Sequence, residues 1–308
     1  MSMSSSTSNG VLFSGGVDSV VIAALAADIL STSSSSPPSS SSSPQKKVPQ
    51  LHLYNVSFGP DRTKSADRQA ALISYEAIRS KYSNNNNNDC PVHVIFHDIA
   101  IDDWDQVCKV ERHIRTLLRP KSTVMDVNIA TALWFASSGS SKGGGDDVDT
   151  QASSSQSYSH PRVLLLGMGA DEQMGGYGRH RKAYVEGGWD QLRTELTMDQ
   201  NRLWERNLGR DDRLVCDHGK EARFPFLDAH VVSFLKQLQR DSPQLICDMD
   251  LPPGVGDKQI LRLVAKRLGL DHASGLVKRA IQFGSRISHV SDTKRFGSRR
   301  KAKGETKI

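Results

Sequence analysis

Val11-Leu12-Phe13-Ser14-Gly15-Gly16-Val17-Asp18-Ser19 is the most informative stretch of this 308-residue chain. Its first three residues form an apolar run typical of a strand, and from Val17 onward apolar residues return at helical spacing, at Val21 and Ala24. Between the two, the glycines let the backbone turn tightly and expose its N–H groups, while the helix N-terminus adds a partial positive charge. The stretch therefore predicts a strand, an anion-binding loop and a helix in succession.

The polar side chains of this loop suit a phosphate group. Ser14 and Ser19 can donate hydroxyl hydrogen bonds to phosphate oxygens. Asp18 repels phosphate, so it is a candidate ligand for a phosphate-bound Mg²⁺. The loop lacks the Gly-Lys-Ser/Thr ending of a P-loop and predicts a different way of holding phosphate. Taken alone, the two glycines are also consistent with a plain strand-to-helix turn.

Strand and helix patterns alternate along the rest of the chain, as in a doubly wound sheet. Arg162 to Leu166 is a Val/Leu run that ends in glycines, which indicates a strand buried on both faces of a parallel sheet. Further strands are predicted over Leu51–Phe58 and Pro91–Ile99. Helices are predicted over Ser65–Lys81, Trp104–Leu118, Val127–Ala136, Met198–Leu208, His230–Gln239 and Lys258–Leu268. The predicted fold class is therefore α/β, a doubly wound parallel sheet with a helical C-terminal part.

Two glycine-rich segments fall at the same edge of the predicted sheet. Residues 14–16 follow the first strand, and residues 167–169 follow the Val/Leu strand. Ligands of doubly wound sheets bind beyond the carboxyl ends of the strands. We therefore expect both segments to face one binding site.

Low-complexity runs lie between the predicted elements and indicate loop insertions in an intact fold. The expected boundaries are a disordered N-terminus at 1–9, one domain at 10–290 with inserts at 31–47, 84–88 and 137–160, and a basic disordered tail at 291–308. The net charge of +6 equals that of residues 294–308, which hold seven Lys or Arg and one Glu. The basic balance thus reflects a solvated tail, and no specific nucleic-acid partner is expected.

Several functional classes are disfavoured by the composition. The four cysteines are far apart and form no CxxC pair, which argues against a zinc ribbon and a redox dithiol. The longest apolar stretch, residues 20–30, is about half a membrane span and contains Asp28. The N-terminus lacks the basic and apolar regions of a secretory signal. We expect a cytoplasmic protein that does not cross a membrane.

Residues 14–19, SGGVDS, resemble the pyrophosphate loop SGGxDS of the ATP pyrophosphatases, whose fold is adenine nucleotide alpha hydrolase-like. Members of this family activate a substrate by adenylation and release pyrophosphate. Residues 167–177, GMGADEQMGGY, resemble the asparagine synthetase signature SG(E/D)G(A/S)DExxGGY. Residues 212–228 resemble its DR…HGxExRxPFLD segment, and residues 256–262, GDKQILR, its KxxLR helix start. The chain is thus similar to the synthetase domain of asparagine synthetases.

The resemblance implies roles for individual residues. Asp18 and Asp171 would bind Mg²⁺. Glu172 would hold the amino group of aspartate, and Lys258 would bind pyrophosphate and stabilise the transition state. The residues expected to bind ATP are Phe13, Ser14, Gly15, Gly16, Asp18, Ser19, Val56, Leu166 and Gly167. Of these, Phe13, Val56, Leu166 and Gly167 would flank the adenosine.

The same residues have structural interpretations when the resemblance is set aside. Lys258 is then a solvated residue at a helix start, and Asp171 and Glu172 are a surface pair in a turn. Glu221 and Arg223 are most simply an ion pair that fixes the neighbouring Pro-Phe-Leu turn.

The reaction implied by the resemblance is that of an AMP-forming amide ligase of asparagine biosynthesis. Aspartate attacks the α-phosphate of ATP, pyrophosphate leaves, and ammonia displaces AMP. The implied cofactors are ATP and Mg²⁺, and the implied partners are small-molecule substrates. The family's glutaminase domain exposes an N-terminal cysteine, whereas Ser2 stands at that position and no such domain precedes the loop. The chain is therefore expected to be a synthetase half, a truncated form of a longer protein, or a user of ammonia, and ammonia or a separate glutaminase domain would supply the nitrogen.

Met168 departs from the signature where catalytic members carry Glu or Asp, the group thought to deprotonate the incoming ammonium. A thioether cannot accept that proton, and loss of a general base costs about 10²- to 10⁴-fold in rate. A nucleotide-binding pseudoenzyme or scaffold that keeps the fold is therefore the first alternative. A tRNA thiolation enzyme is a second, and the absence of cysteine pairs argues against it.

Overall fold

The computed structural model describes residues 8–33, 48–83, 92–139 and 161–296. Within these ranges, five parallel strands form one sheet in the order β3-β2-β1-β4-β5. The strands are β1 (Ser8–Leu12), β2 (Gln50–Phe58), β3 (His93–Ile101), β4 (Val163–Leu165) and β5 (Glu221–Arg223). The predicted doubly wound α/β fold is confirmed.

Helices cover both faces of the sheet and make up most of the C-terminal half. They are α1 (Val17–Ser33), α2 (Ala66–Ser83), α3 (Trp104–Leu118), α4 (Val124–Ser138), α5 (Ala170–Met174), α6 (Gly178–Leu203), α7 (Gly209–Cys216), α8 (Ala229–Asp241), α9 (Pro243–Ile246), α10 (Gln259–Arg267), α11 (Asp271–Ser274), α12 (Ile281–Gly284) and α13 (Ile287–Phe296). A π-helical turn, Trp204–Leu208, joins α6 to α7. None of these helices is long and apolar enough to cross a membrane.

The central strand β1 determines where a ligand can bind. Val11 pairs with Leu53 of β2 on one side and with Leu165 of β4 on the other. The strand order therefore reverses between β1 and β4, and the loops after these two strands leave the sheet beside each other. Such a switch point opens a crevice at the carboxyl ends of the strands.

Apolar side chains on both faces of the sheet hold the layers together. On one face, α1, α2 and α10 bury Val20, Tyr75 and Leu261 against the strands. On the other, α3, α4 and α7 contribute Ile114, Leu133 and Leu214. Strand β2 is buried at every residue except its first, as expected of a strand covered on both faces.

Strand β5 differs from the sequence-based expectation, which was helical from Leu166 to the end of the chain. Its three residues include two charges and carry no apolar alternation, so no strand pattern marks them. The strand is defined instead by its pairing with β4, through Glu221 N–H to Arg162 O (2.7 Å) and Leu166 N–H to Arg223 O (2.9 Å).

The predicted insert and tail boundaries also differ from the observed ends of helices. Strand β1 begins at Ser8, inside the predicted disordered N-terminus. Helix α1 continues to Ser33, α4 continues to Ser138, and α13 includes residues 291–296. The structured elements thus extend into ranges that we assigned to inserts and to the tail. The remainder of the predicted inserts and tail, 34–47, 84–88, 140–160 and 297–308, lies outside the described residues.

Candidate nucleotide and metal site

The loop between β1 and α1 is fixed on one side and open on the other. Gly15 has a φ of +76°, and a Cβ at this position would lie 2.2 Å from the backbone nitrogen of Ala71 in α2. Gly16, in contrast, would place a Cβ no closer than 3.4 Å to any neighbouring atom, the nearest being Ser14 Oγ. The serines brace the loop internally, since Ser19 Oγ donates to Gly16 O (3.1 Å). The Gly16 side of the loop is therefore free to face a ligand.

A cavity of about 370 Å³ lies beyond the carboxyl ends of β1, β2 and β4, within the size range of small-molecule sites. Nine of the predicted site residues line it: Phe13, Ser14, Asp18, Ser19, Val56, Leu166, Gly167, Asp171 and Glu172. A smaller cavity of about 60 Å³ is lined by Gly16 and Lys258, and it shares Ser14 and Asp18 with the first. Gly15 lines neither cavity, because it packs against α2.

Lys258 connects the two acidic residues that come from different motifs. Its Nζ lies 2.8 and 2.9 Å from the two carboxylate oxygens of Asp18 and 3.0 Å from Asp171 Oδ1. The residue is only 2% exposed, so its interpretation as a solvated helix residue is wrong. Lys278 Nζ also contacts Asp171, at Oδ2. Two carboxylates and two ammonium groups thus meet at the junction of the cavities.

The charges in this cluster shift one another's pKa values in opposite directions. Burial would lower the pKa of Lys258, but Asp171 and Asp18 outweigh burial and raise it, so the ammonium stays charged. Burial would raise the pKa of Asp171, but Lys258 and Lys278 lower it. The pKa of Asp18 is raised, because burial and repulsion from Asp171 exceed the attraction of Lys258. Of these two carboxylates, Asp18 therefore has the less compensating positive charge.

The donor set at this cluster fits Mg²⁺ bound together with phosphate. Among the described residues, no group of three His, Cys, Asp or Glu side chains could hold a metal ion. Asp18 and Asp171, however, already share one cation, the Lys258 ammonium, and both line the larger cavity. Mg²⁺ commonly takes one or two carboxylates and completes its shell with water and substrate phosphates. The two carboxylates could hold Mg²⁺ in this way.

The backbone around Lys258 holds its side chain in place. Lys258 is one of two described non-glycine residues with positive φ, at 53°. Its N–H donates to Met174 O of α5 (2.9 Å), which ties it to the segment that carries Asp171. Arg262, the arginine of the KxxLR motif, donates to Asp257 O (2.6 Å) and forms an ion pair with Asp257 Oδ2 (2.5 Å). Within this motif, Lys258 therefore lies in the site, whereas Arg262 stabilises the backbone that positions it.

Glu172 lies in a polar corner of the larger cavity and is 4% exposed. Tyr177 Oη donates to Glu172 Oε1 (2.6 Å), and Asn207 Nδ2 donates to the same oxygen (2.9 Å). Burial and the neighbouring Asp171 raise the pKa of Glu172. Asn207 Nδ2 also lies 3.2 Å from Met168 Sδ, so the methionine faces this corner.

Asp67, near the start of α2, was not identified from the sequence. It is 9% exposed and lines both cavities. Among the described residues it has no hydrogen-bond or ion-pair partner, and burial, which outweighs attraction to Arg279 and Lys278, raises its pKa to about 7. Tyr177 ends the second motif, and Asn207 and Lys278 lie outside the motifs; the sequence predicts no role for these three residues, because only their contacts distinguish them.

The ion pair predicted between Glu221 and Arg223 is present, at 2.8 Å between Oε1 and Nε. Both side chains are 60% exposed. Such a pair contributes at most about 1 kcal/mol, so the position of the segment depends mainly on the backbone pairing of β5 with β4.

The fold and this crevice define an α/β protein with a phosphate-loop site at the sheet switch point. The sequence model of the asparagine synthase family matches residues 1–90 and 184–268, just over half of the chain. The chain therefore belongs to the asparagine synthase family.

Similar proteins include two that are both named asparagine synthetase domain-containing protein 1. The mouse protein is 36% identical over 93% of this chain and 47% of its own length. The chicken protein is 49% identical over 58% of this chain and 27% of its own length. A Methanocaldococcus jannaschii protein named putative asparagine synthetase [glutamine-hydrolyzing] 1 is 48% identical over 71 residues, 23% of this chain and 13% of its own. The chain spans at most about half the length of these relatives.

Proposed function

We propose that the chain binds ATP with Mg²⁺ and adenylates aspartate, as an asparagine synthetase-like, AMP-forming amide ligase. One observation carries this proposal. The buried Lys258 joins Asp18 of the phosphate loop to Asp171 of the second motif at the junction of the two cavities. A charge cluster of this kind between a phosphate loop and a larger cavity suits a reaction in which negative charge develops on departing phosphates.

In the proposed complex, different residues around the cavity bind the adenine ring, the phosphates and the metal of ATP. Phe13, Val56 and Leu166 offer an apolar surface to the adenine ring. The open backbone at Gly16 and the Ser14 hydroxyl face the phosphates. Mg²⁺, held by Asp18 and Asp171, would neutralise phosphate charge and so favour attack at the α-phosphorus.

In the first half-reaction, a carboxylate oxygen of aspartate forms a bond to the α-phosphorus. The bond from that phosphorus to the bridging oxygen breaks, and pyrophosphate leaves. Lys258 stabilises the negative charge that grows on the leaving pyrophosphate. Glu172, held by Tyr177 and Asn207, accepts hydrogen bonds from the substrate ammonium in its ionised form.

In the second half-reaction, ammonia attacks the acyl carbon, AMP leaves, and the nitrogen loses a proton. Met168 faces the cavity through its contact with Asn207 and offers no base for that proton. This contact favours a second candidate function, a nucleotide-binding pseudoenzyme or scaffold that keeps the fold and forms asparagine slowly or not at all. The proposed ligase would also need a partner that supplies nitrogen, either ammonia or a separate glutaminase domain. We propose a cytoplasmic location for it.

The test measures pyrophosphate and asparagine side by side, with ATP, Mg²⁺, aspartate and ammonium present. We expect the unmodified chain to bind ATP and release pyrophosphate, with little asparagine. Met168→Glu should raise asparagine production more than pyrophosphate release, because only the second half-reaction gains a base. Isothermal titration with ATP and Mg²⁺ gives an independent measure of binding. A chain that binds no ATP would disprove the proposed function, and rapid asparagine synthesis by the unmodified chain would disprove the role given to Met168.

A further inference from the structure

Lys278 lies in the segment 276–280, which has no regular secondary structure and connects α11 to α12. Its side chain is partly buried, lines both cavities, and forms an ion pair with Asp171 Oδ2. Its Nζ also lies 4.7 Å from the centre of the Tyr177 ring. The ammonium is therefore held at the junction of the cavities, although Lys278 lies outside the motifs described above.

The contacts of Lys278 conflict with a metal at Asp171. Both oxygens of Asp171 are engaged, Oδ1 by Lys258 and Oδ2 by Lys278. Mg²⁺ at these oxygens would be repelled by both ammonium groups, so metal binding at Asp171 is favoured when one of the two ammonium groups moves away. Lys258 is 2% exposed and has a second carboxylate partner in Asp18, whereas Lys278 is more exposed and has a flexible stem on an irregular segment. Lys278 is thus the residue that can move.

The smaller cavity shows where the ammonium can go. It is lined by Gly16 of the phosphate loop, by Lys258, and by Lys278 with its neighbour Arg279. Adenine-facing residues such as Val56 and Leu166 line only the larger cavity. A group that enters the smaller cavity meets these three cations and the loop backbone, which suit a polyphosphate, and also the carboxylates of Asp18 and Asp67, which a polyphosphate would approach together with Mg²⁺.

We infer that Lys278 is a phosphate-binding residue that exchanges Asp171 for the β- and γ-phosphates when ATP and Mg²⁺ bind. In the free protein it neutralises Asp171 and keeps the carboxylate in position. In the complex, metal replaces it on Asp171, and its ammonium contacts the phosphates that leave as pyrophosphate. This inference rests on the proposed function, since it requires ATP to occupy the two cavities.

The test compares Lys278→Met, which keeps most of the stem but not the charge, with Lys278→Arg, which keeps the charge. Lys266→Met is the matched control, because Lys266 is an exposed lysine of α10 that lines neither cavity. Isothermal titration measures the affinity of each variant for ATP, inorganic pyrophosphate and AMP at fixed Mg²⁺. Melting temperatures show whether each variant is folded.

We expect Lys278→Met to weaken ATP and pyrophosphate binding by about 10- to 100-fold, the effect of one lost charge-assisted contact. AMP binding should change by less than about 3-fold, since AMP lacks the two phosphates. Lys278→Arg should retain most of the affinity, and Lys266→Met all of it. Equal ATP affinity in Lys278→Met and Lys266→Met, with the unmodified chain binding ATP, would disprove the inference alone. Failure of the unmodified chain to bind ATP would overturn both the inference and the proposed function.

Discussion

At the scale of single residues, the two glycines of the phosphate loop have separate roles. Gly15 is required by the protein itself, because its positive φ and the backbone of Ala71 leave no room for a Cβ. Gly16 has that room on the protein side. Because Gly16 has no side chain, a ligand can approach the backbone N–H groups of the loop.

Gly15→Ala should therefore destabilise the fold, by about 2 kcal/mol or more, and lower Tm by several degrees. Gly16→Val should keep Tm near that of the unmodified chain and weaken ATP binding at least about 10-fold, since the side chain blocks the phosphates. Thermal melts and isothermal titration of both variants separate the effects. A Gly16→Val variant with normal ATP affinity would contradict the assignment of the loop.

The raised pKa of Asp67 predicts that the free energy of unfolding depends on pH. Its pKa is near 7 in the folded protein against an ordinary value of 3.8, so the folded state binds more protons between these two pH values. Stability from this group is therefore greatest below about pH 4 and is lost as pH rises through 7. We expect Asp67→Asn to increase the free energy of unfolding at pH 8 by a few kcal/mol relative to the unmodified chain, and by much less at pH 5.

Urea unfolding at the two pH values measures this difference. The comparison between variants cancels the contributions of other titrating groups. A gain that is the same at pH 5 and pH 8 would show that the carboxylate is already paired or solvated in the folded protein.

The residue scale also shows where sequence reasoning is strong. Asp18, Asp171 and Lys258 occupy fixed positions in recognisable motifs, and the structure brings them together. Asn207 and Asp67 reach the same cavity from elements with no such motif. Their involvement depends on how helices pack over the sheet, which no local pattern encodes.

At the scale of elements, β5 is the strand that the sequence does not mark. A strand is recognised from alternating or continuous apolar residues, and Glu221-Ala222-Arg223 offers neither. Longer elements with clear periodicity, such as α3 over Trp104–Leu118, were predicted to the residue. Short edge strands are specified by backbone hydrogen bonds to a neighbour distant in sequence.

Glu221→Pro should therefore be far more harmful than Glu221→Ala. Proline removes the N–H that donates to Arg162 O at the edge of β4, leaving that carbonyl without its partner. We expect a loss of about 1–3 kcal/mol for proline. Alanine removes only the exposed ion pair with Arg223, which is worth at most about 1 kcal/mol. Equal melting temperatures for the two variants would show that the pairing of β5 with β4 is not needed for stability.

At the scale of the whole molecule, the alternation of strands and helices was sufficient to predict one doubly wound sheet. The exact limits of the inserts could not be predicted, because serine-rich composition does not distinguish a helix end from a loop. Ser137 was assigned to an insert, yet it is fully buried in α4 and its carbonyl accepts a hydrogen bond from Lys220 Nζ (2.6 Å).

Replacing residues 140–160 by a short Gly/Ser linker should therefore change Tm by less than about 4 °C. The same replacement beginning at residue 137 should lower Tm further, because it replaces the last two residues of α4 and no longer holds the carbonyl at position 137 in place for Lys220 Nζ. Differential scanning calorimetry of the two variants tests this. A drop of about 10 °C in the first variant would show that residues 140–160 contribute to packing.

The left-handed backbone of Lys258 has an evolutionary consequence. A lysine with a φ of 53° stores roughly 1–2 kcal/mol that glycine would not, and its ammonium must be desolvated as well. A chain selected only to fold would therefore improve by replacing Lys258 and its buried carboxylate partners with better-matched residues. Retaining them places this chain on a stability–activity trade-off. Thermostabilising screens should repeatedly select substitutions at these three positions, and the resulting variants should no longer bind ATP.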